Sequence, residues 1–407
     1  MKIVKLILLF IIILAVVMCT PARHGTGNPV NSPEQEEILK HIPASIINSL
    51  PANPAMTFVQ NMGIGINIGN TLDAIGTHTW HARETGWGNP VITREFIRAL
   101  KNYGYKTIRL PVTWAEYMGP APDYKISTCV FNDCFSCPDR MDRVEEVVRW
   151  ILEEDLYCII NLHHDGGHSD KSWILNAAGN PGETANQFAA VWKQIAQRFS
   201  GVSHEKLIFE SMNEVGFDTI WNRWGGITGK NEAFDILNML NQTFVDTVRQ
   251  TAGNENRYLL IAGYWTDINQ TCDPLFKLPA DTIEQRIILS VHYYDPSTFT
   301  IAEERDNSWG FRESWGTVMD YHELTGQFNK LKINFLDKGI PVIMGEYGVT
   351  FKNKIEEDRI KWMTAVTQIS LNYGICPILW DTGGEINRRP PFTMRNTLKT
   401  VWENLRL

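Results

Sequence analysis

The chain has 407 residues and a formal net charge of −8 at pH 7. It contains no basic cluster or stripe, which argues against a nucleic-acid partner. The segment from about Ile38 to Leu407 has no internal repeat and no low-complexity break, and its length fits one large α/β barrel better than two domains of average size.

The N-terminus has the pattern of a secretory signal peptide, assigned to residues 1–19. Lys2 and Lys5 precede an apolar run from Leu6 to Met18, which is too short to span a bilayer comfortably. Three outcomes stay open at this segment: acylation of Cys19, which would anchor the protein to a membrane by its lipid, ordinary cleavage nearby, or an uncleaved anchor. We therefore expect a secreted, periplasmic or cell-surface protein.

Residues 20–37 are rich in Pro, Gly, Asn and Glu, and we predict that they form a flexible linker before a single domain over 38–407. Within that domain Cys129, Cys134 and Cys137 lie in one loop. A local disulfide or free thiols are favoured there over a zinc site, because no fourth ligand is nearby. Two further cysteines, Cys158 and Cys376, lie in apolar runs and are expected in the core.

Eight short apolar runs alternate with amphipathic segments. Runs of this kind are typical of strands that are buried on both faces of a parallel sheet. The eight runs are Gly63–Gly69, Thr107–Val112, Tyr157–His163, Leu207–Glu214, Tyr258–Gly263, Ile287–Tyr294, Pro341–Glu346 and Ile378–Asp381.

Apolar residues at helical spacing fill the intervals between these runs. The clearest predicted helices are Met141–Glu154, Thr184–Phe199, Phe234–Arg249 and Glu356–Tyr373. Eight strand–helix units predict a (β/α)8 TIM barrel. A dinucleotide-binding doubly wound sheet is disfavoured, since the first predicted strand is not followed by the required third glycine.

Polar residues collect at the C-terminal ends of the apolar runs. In a TIM barrel these ends surround one mouth, where active sites lie, and a charged residue buried there must be paired or must shift its pKa. The residues at these ends include Arg109, His163, His164, Asn213, Glu214, His292, Tyr294, Glu346 and Trp380.

Two glutamates in this set, Glu214 and Glu346, lie on runs four and seven, across the predicted barrel from each other. Glycoside hydrolysis needs one carboxylic acid to protonate the departing oxygen and one carboxylate to attack the anomeric carbon or activate water. Carboxyl groups roughly 5–5.5 Å apart give retention of configuration, and a wider gap gives inversion. The residues alone predict the pair and leave the two roles exchangeable.

Neighbouring polar residues suit this chemistry. We expect Arg109, His292 and Tyr294 to keep the attacking carboxylate ionised, while the pKa of the acid must be raised. Asn213 is placed to hold the 2-hydroxyl of the sugar. Glu210 alternates in phase with Glu214 but lies deeper, which indicates a structural carboxylate.

Tryptophan usage also points to a sugar ligand, because an aromatic face stacks on the apolar face of a pyranose. Of 14 tryptophans many lie in predicted loops, and we expect at least two of these to bind sugar. The loop candidates are Trp80, Trp87, Trp173, Trp221, Trp224, Trp309 and Trp315.

At these residues the sequence resembles glycoside hydrolase family 5. The resemblance runs from about Ala55 to Leu407, and its motifs occur in family order on every predicted strand except the fifth. It is closest to the bacterial endoglucanase branch that includes enzymes active on xyloglucan and mixed-linkage glucan. The motifs are GINIGNTLDA at Gly65–Ala74, WGNP at Trp87–Pro90, IRLPVTW at Ile108–Trp114, NLHH at Asn161–His164, FESMNE at Phe209–Glu214, HYYDP at His292–Pro296, GEYG at Gly345–Gly348 and ILWD at Ile378–Asp381.

The resemblance implies a role for each residue of the mouth. Glu214 matches the acid/base and Glu346 the nucleophile. Trp380 matches the stacking platform, and Asn70 and His164 resemble secondary sugar contacts. The other matches to family positions are Arg109, His163, Asn213, His292 and Tyr294. Val215 replaces a proline that is frequent in the family, at a position that shapes the loop after Glu214.

The resemblance also implies the activity, namely a retaining endo-β-1,4-glucanase that uses no metal or organic cofactor. We expect a monomer whose partner is a β-linked polysaccharide or oligosaccharide. Xyloglucan, lichenan, xylan and mannan remain alternative backbones, because backbone choice depends on loop shape.

Two rival classes of function share the barrel. A metal-dependent hydrolase would use His163, His164 and His168 with Glu214, but it leaves Glu346, Arg109 and Trp380 unexplained. A non-catalytic glycan-binding barrel is disfavoured because both glutamates are present.

Overall fold

In a computed structural model, the chain forms a closed barrel of eight parallel strands in the order β1 to β8. The structure describes residues 33–76, 84–127, 139–167, 169, 171–222, 224–225 and 228–407. The strands are β1 (Gly65–Asn67), β2 (Thr107–Leu110), β3 (Tyr157–Asn161), β4 (Leu207–Glu210), β5 (Leu259–Asp267), β6 (Ile287–Tyr293), β7 (Val342–Tyr347) and β8 (Cys376–Leu379). The predicted TIM barrel is confirmed, and each strand overlaps its predicted run.

Helices surround the barrel, and several of them begin at a side-chain cap. Asn53, Thr93 and Asn180 each accept a backbone N–H of the first turn of a helix, and Thr317 and Asp320 form a capping box. The helices are α1 (Pro33–Leu39), α2 (Pro54–Met62), α3 (Arg94–Asn102), α4 (Arg140–Glu153), α5 (Pro181–Arg198), α6 (Lys230–Gln250), α7 (Ile268–Thr271), α8 (Ser297–Thr300), α9 (Val318–Asn334), α10 (Glu356–Asn372) and α11 (Asn396–Asn404).

The fifth strand–helix unit differs from the other seven. Only the four-residue helix α7 forms between β5 and β6. The rest of this connection contains Pro274 and Pro279, each of which lacks the N–H that a helix interior requires. The expectation of eight full units therefore fails at the fifth.

Side chains that point into the barrel form an apolar layer below a polar layer. The apolar layer includes Ile159, Ile208, Ile288 and Ile343, and α2 closes it from below with Phe58 and Met62. Two residues further along the strands, the inward positions hold polar side chains, because successive side chains alternate between the faces of a strand. The buried members of this polar layer are Asn67, Arg109, Asn161, Glu210 and Ser290.

Helix α1 overlaps the end of the segment expected to be a linker. Ile38 and Leu39 are buried, and Gln35 donates a hydrogen bond of 3.0 Å to the carbonyl of Asn404. The folded domain therefore extends further toward the N-terminus than the predicted boundary between residues 37 and 38. The apolar side chains of α1 pack against the core, so the helix forms even though the segment before it has a polar composition.

Several sequence-based expectations fall outside the described residues, among them the signal segment and the three clustered cysteines. Cys158 and Cys376 are buried free thiols, as expected. Among the described residues no helix combines the length and hydrophobicity needed to cross a bilayer. The residues that have a predicted role but lie outside the described ranges are Cys19, Trp80, Cys129, Cys134, Cys137 and His168.

Candidate active site

Arg109, on β2, binds side chains from several other strands of the polar layer. Its guanidinium is fully buried and lies between two carboxylates, Glu210 and Glu346. Because a buried charge is tolerated only when it is paired and hydrogen-bonded, these contacts fix the positions of their partners. Arg109 donates through Nε to Glu210 Oε2 (2.7 Å), through Nη1 to Glu346 Oε1 (2.6 Å) and Asn67 Oδ1 (3.0 Å), and through Nη2 to Asn213 Oδ1 (2.8 Å).

Glu210 is a structural carboxylate, as its depth in the strand predicts. Its side chain is fully buried, and its second oxygen accepts a hydrogen bond of 2.7 Å from Ser290 Oγ. Both oxygens therefore have partners within the barrel, so Glu210 holds Arg109 and does not face the cleft.

Glu346 lies at the end of β7 with only 7% of its side chain exposed. Its Oε1 is bound by Arg109, and its Oε2 accepts a hydrogen bond of 3.0 Å from the Tyr294 hydroxyl. Burial raises the pKa of Glu346, with Glu214 acting in the same direction, while His292 and Arg109 oppose the rise. Burial and the nearby Glu346 raise the pKa of Tyr294 well above its usual range, so its hydroxyl keeps the proton that it donates.

Glu214 is the more exposed carboxylate, with 37% of its side chain accessible. Its Oε1 lies 2.7 Å from His292 Nδ1, which is 3.7 Å from Glu346 Oε2. One oxygen of Glu214 lies within 4.8 Å of one oxygen of Glu346. This upper limit joins one oxygen of each group, and it agrees with the roughly 5–5.5 Å spacing between the carboxyl groups of a retaining pair.

His163 and Trp380 form a wall beside the two glutamates. Their rings are parallel within 7°, with centroids 5.7 Å apart. Burial lowers the pKa of His163 well below its usual range, with the neighbouring His164 and Arg109 contributing, so the ring is neutral. Gly69 makes room for Trp380, because a Cβ there would lie 2.7 Å from the indole.

Asn70 and His164 lie next to this wall. The Asn70 amide donates to Asp73 (2.9 Å), and its carbonyl accepts from Asn89 Nδ2 (3.0 Å). The His164 ring makes an edge contact with Trp87 at 5.4 Å. The structure thus brings both residues to the rim, where His164 lines the cleft and Asn70 holds the loop that supports it.

A cleft of about 480 Å³ contains both carboxylates, a volume within the range of ligand pockets. Seven of the ten predicted site residues line it, and Arg109, His292 and Asn70 are not part of its lining. The seven are His163, His164, Asn213, Glu214, Tyr294, Glu346 and Trp380. The structure therefore brings seven of the ten predicted residues together in one cleft, and Arg109 and His292 contact the two glutamates beside it.

Two groups of side chains in the described residues have metal-ligand composition: Asp73 with His163 and His164, and Glu214 with His292 and Glu346. Asp73 already accepts the backbone amides of Asn70 and Thr71. The second group includes a carboxylate bound by the Arg109 cation, which disfavours a second cation beside it. The donor sets therefore do not support the metal-dependent alternative, and His168 lies outside the described residues.

The predicted tryptophan platforms differ in burial, and Trp221 is partly buried against the core. Trp173 and Trp315 are buried, with 9% and 4% of their surface accessible, and belong to the core, so neither is available to bind sugar. Loops that pack against the barrel bury such rings, and sequence composition does not reveal this. Trp87, Trp224 and Trp309 remain exposed. That at least two of the seven loop tryptophans bind sugar stays a prediction.

Sequence reasoning missed Asn67 and Asp73, which support the site from β1 and the loop after it. Asn67 binds Arg109 and donates to the Gly345 carbonyl at 2.9 Å, linking β1 to β7. A strand-phase signal was available for Asn67, since it lies two residues after the inward-facing Gly65 and is therefore also inward.

The family model for cellulase (glycosyl hydrolase family 5) matches residues 69–385. The chain belongs to glycoside hydrolase family 5. The matched segment begins at the glycine beneath Trp380 and ends beyond β8, so it includes both glutamates and the whole mouth.

Characterised relatives agree with this family membership. Endoglucanase A of Paenibacillus barcinonensis is 38% identical over 353 residues, which cover 81% of this chain and 82% of the relative. A broad-specificity endoglucanase from an uncultured bovine rumen ciliate superposes with a TM-score of 0.73 at 33% identity, covering 87% of this chain and 98% of that one. A lichenase from Caldicellulosiruptor sp. F32 in complex with cellotetraose gives a TM-score of 0.75 at 28% identity, covering 88% and 96%. As a family 5 member, the chain is a glycoside hydrolase that acts on O-glycosyl bonds.

Proposed function

We propose that the protein is an endo-β-1,4-glucanase that works by double displacement, with Glu346 as nucleophile and Glu214 as acid/base. The observation that carries this proposal is that one carboxylate oxygen of Glu214 lies within 4.8 Å of one carboxylate oxygen of Glu346. A short spacing lets one carboxylate attack the anomeric carbon while the other reaches the glycosidic oxygen.

The environments of the two carboxylates support this division of roles. Glu346 is buried and held at both oxygens by Arg109 and Tyr294, which suits a nucleophile that must be fixed and ionised at the moment of attack. Glu214 is more exposed, which suits a group that serves first the departing sugar and then an incoming water.

In the first step Glu346 attacks the anomeric carbon, and the proton of Glu214 passes to the departing glycosidic oxygen. The glycosyl-enzyme is then hydrolysed by a water whose proton returns to Glu214. Because Asn213 Oδ1 accepts from Arg109, the amide nitrogen of Asn213 is the group left to donate to the sugar. Trp380 provides an aromatic face for the ring whose bond breaks.

The β-glucan substrate is supported by relatives that are endoglucanases and by a structural neighbour that holds cellotetraose. Mixed-linkage glucan is the second candidate, because that neighbour is a lichenase. We further infer from the signal pattern of residues 1–19 that the protein is exported.

A substrate panel tests the backbone. Purified protein is incubated with carboxymethylcellulose, lichenan, xyloglucan, xylan and mannan, and new reducing ends are counted. We expect the first two to be cleaved fastest. Faster cleavage of xylan or mannan would contradict the proposed β-glucan preference.

Chemical rescue tests the two roles. In Glu346→Ala we expect turnover to fall by about 10³-fold or more, and azide to restore it by direct displacement, giving an α-glycosyl azide from a β-glycoside. In Glu214→Ala we expect azide to intercept the glycosyl-enzyme and give the β-azide. Product anomers are read by NMR, and an α-azide from Glu214→Ala would reverse the assignment.

A further inference from the structure

Strand β5 carries two consecutive residues in the left-handed region of backbone space, Trp265 (φ 56°) and Thr266 (φ 48°). Neither is glycine, and Thr is β-branched, so each conformation costs free energy that the surrounding structure must supply. The pairing of β5 with β6 shifts register between Ala262 and Asp267. This β-bulge lies at the end of the strand that faces the active site, where bulges commonly re-aim side chains.

The bulge is bonded to the segment that directly follows Glu214. Three hydrogen bonds join Tyr264 and Trp265 to this segment, and they hold residues 215–218 against β5. The Trp265 amide donates to the Val215 carbonyl (2.8 Å), the Phe217 amide to the Tyr264 hydroxyl (2.8 Å), and Trp265 Nε1 to Asp218 Oδ1 (3.3 Å).

Gly216 lies directly against the indole of Trp265. A Cβ at residue 216 would lie 2.0 Å from Nε1 and 2.4 Å from Cδ1, so no side chain larger than hydrogen fits without moving the ring. The glycine thus permits a close approach of backbone to ring, which ties the loop after β4 to the bulge.

The same bulge also reaches the other neighbour of Glu214. Asp267, at its end, pairs in register with His292 on β6. The Nδ1 atom of His292 lies 2.7 Å from Glu214 Oε1. The backbone after Glu214 and the imidazole at its carboxylate therefore both depend on the path of β5.

We propose that Trp265 is a positioning residue for Glu214, acting through its packing on Gly216 and its bonds to Val215 and Asp218. The proposal rests on the acid/base role proposed for Glu214. It assigns a function to the one strand whose end carries no predicted site residue: the strained bulge sets the height and direction of the acid/base carboxylate. A misplacement of about 1 Å in a catalytic group can cost up to about 10²-fold in rate.

The test uses leaving groups of different basicity. Gly216→Ala and Trp265→Leu are compared with wild type on phenyl β-cellobioside, whose departure needs a proton, and on 2,4-dinitrophenyl β-cellobioside, whose departure does not. We expect kcat/KM for the phenyl substrate to fall by about tenfold or more in both variants, and kcat/KM for the dinitrophenyl substrate to change less than twofold. Trp265→Phe, which keeps a packed ring, should recover most of the loss.

Gly201→Ala is the matched control, because a Cβ there meets nothing within 4 Å and the residue lies before the N-terminal end of β4, at the end of the barrel away from the mouth. Equal losses on both substrates would overturn the proposal in favour of a general binding or folding role, and so would unchanged kinetics in both variants. Should Gly216→Ala fail to fold, the comparison of Trp265→Leu with Trp265→Phe decides alone. The proposed function itself would be refuted if wild type also released no reducing ends from carboxymethylcellulose and lichenan.

Discussion

The guanidinium of Arg109 is surrounded by two carboxylates and two amide oxygens, all belonging to the barrel. One cation thus balances part of the charge of Glu210 and Glu346 where water is excluded. Removing one partner of a buried ion pair costs about 3–5 kcal/mol, since the remaining charge is left uncompensated. The network therefore gives the nucleophile a fixed position before any substrate arrives.

The Tyr294 hydroxyl stabilises the ionised form of Glu346, which has a consequence for pH dependence. A hydrogen bond donated to a carboxylate lowers its pKa, so Tyr294→Phe should raise the pKa of Glu346 further above its ordinary value. Because the nucleophile must be ionised, the acidic limb of kcat/KM should move to higher pH, by up to about one unit. The measurement is the pH profile of kcat/KM on a cello-oligosaccharide.

Tyr293→Phe is the control for this prediction. Tyr293 is the preceding residue of β6, and its ring stacks against Trp362 outside the barrel. Loss of the Tyr293 hydroxyl should leave the acidic limb of the kcat/KM profile at its wild-type pH. A limb that moves to lower pH in Tyr294→Phe would contradict the assigned direction.

At the scale of elements, three strand pairs change register near the site: β5 with β6, β6 with β7, and β7 with β8. These pairs adjoin the strand ends that carry His292, Glu346 and Trp380. The bulges increase local twist and turn these side chains toward one cleft. Regular pairing would be expected in the lower, apolar part of the barrel, where packing alone is required.

The approach of β1 to β8 at Gly69 and Trp380 yields a prediction at this scale. Gly69→Ala places a methyl group 2.7 Å from the indole, so the ring must move. We expect kcat/KM on cellotetraose to fall by about tenfold, and overpacking to lower the free energy of unfolding by about 1–3 kcal/mol. Steady-state kinetics and urea denaturation measure the two effects.

Gly182→Ala provides the comparison, because a Cβ in that position of α5 has open space around it. It should leave kcat/KM unchanged and should raise the free energy of unfolding by up to about 1 kcal/mol, because alanine is more favourable than glycine in a helix. Retention of wild-type kinetics in Gly69→Ala would mean that Trp380 adapts without effect on the reaction.

At the scale of the whole molecule, the two ends of the described chain meet. Helix α1 packs against the helical ring, where Gln35 donates to the carbonyl of Asn404 of α11. His41, which follows the helix, stacks on Tyr321 of α9 with ring centroids 4.6 Å apart. The barrel mouth lies at the C-terminal ends of the strands, and none of the residues that line the cleft belongs to α1. We therefore expect the helix to contribute to stability and not to the reaction.

A comparison of two shortened chains tests this separation. A chain that begins at Pro43 loses the buried side chains of Ile38 and Leu39, each worth roughly 1.5–3 kcal/mol when fully buried. We expect it to unfold at lower urea concentration than a chain that begins at Pro33, with the same kcat at 25 °C. A lower kcat in the shorter chain would show that α1 also influences the site.

Sequence by itself determined the fold class and the membership of the mouth. Strand and helix periods are local properties of the chain, and parallel strands in a barrel direct all their C-terminal ends to one face. From these two facts Glu214, Glu346 and Arg109 are predicted to lie together without any measured distance. The fifth unit was the exception, since proline and a bulge interrupt the pattern there.

Only the tertiary structure decided how these residues meet. Three features depend on contacts between distant segments of the chain. One oxygen of Glu214 lies within 4.8 Å of one oxygen of Glu346, Arg109 binds Glu210 as well as the nucleophile, and Trp173 is buried. The strained path of β5 behind Glu214 also depends on distant contacts, because hydrogen bonds to the loop after β4 hold it in place. Local pattern specifies which face a side chain occupies, whereas barrel closure and loop packing set the distances on which the chemistry depends.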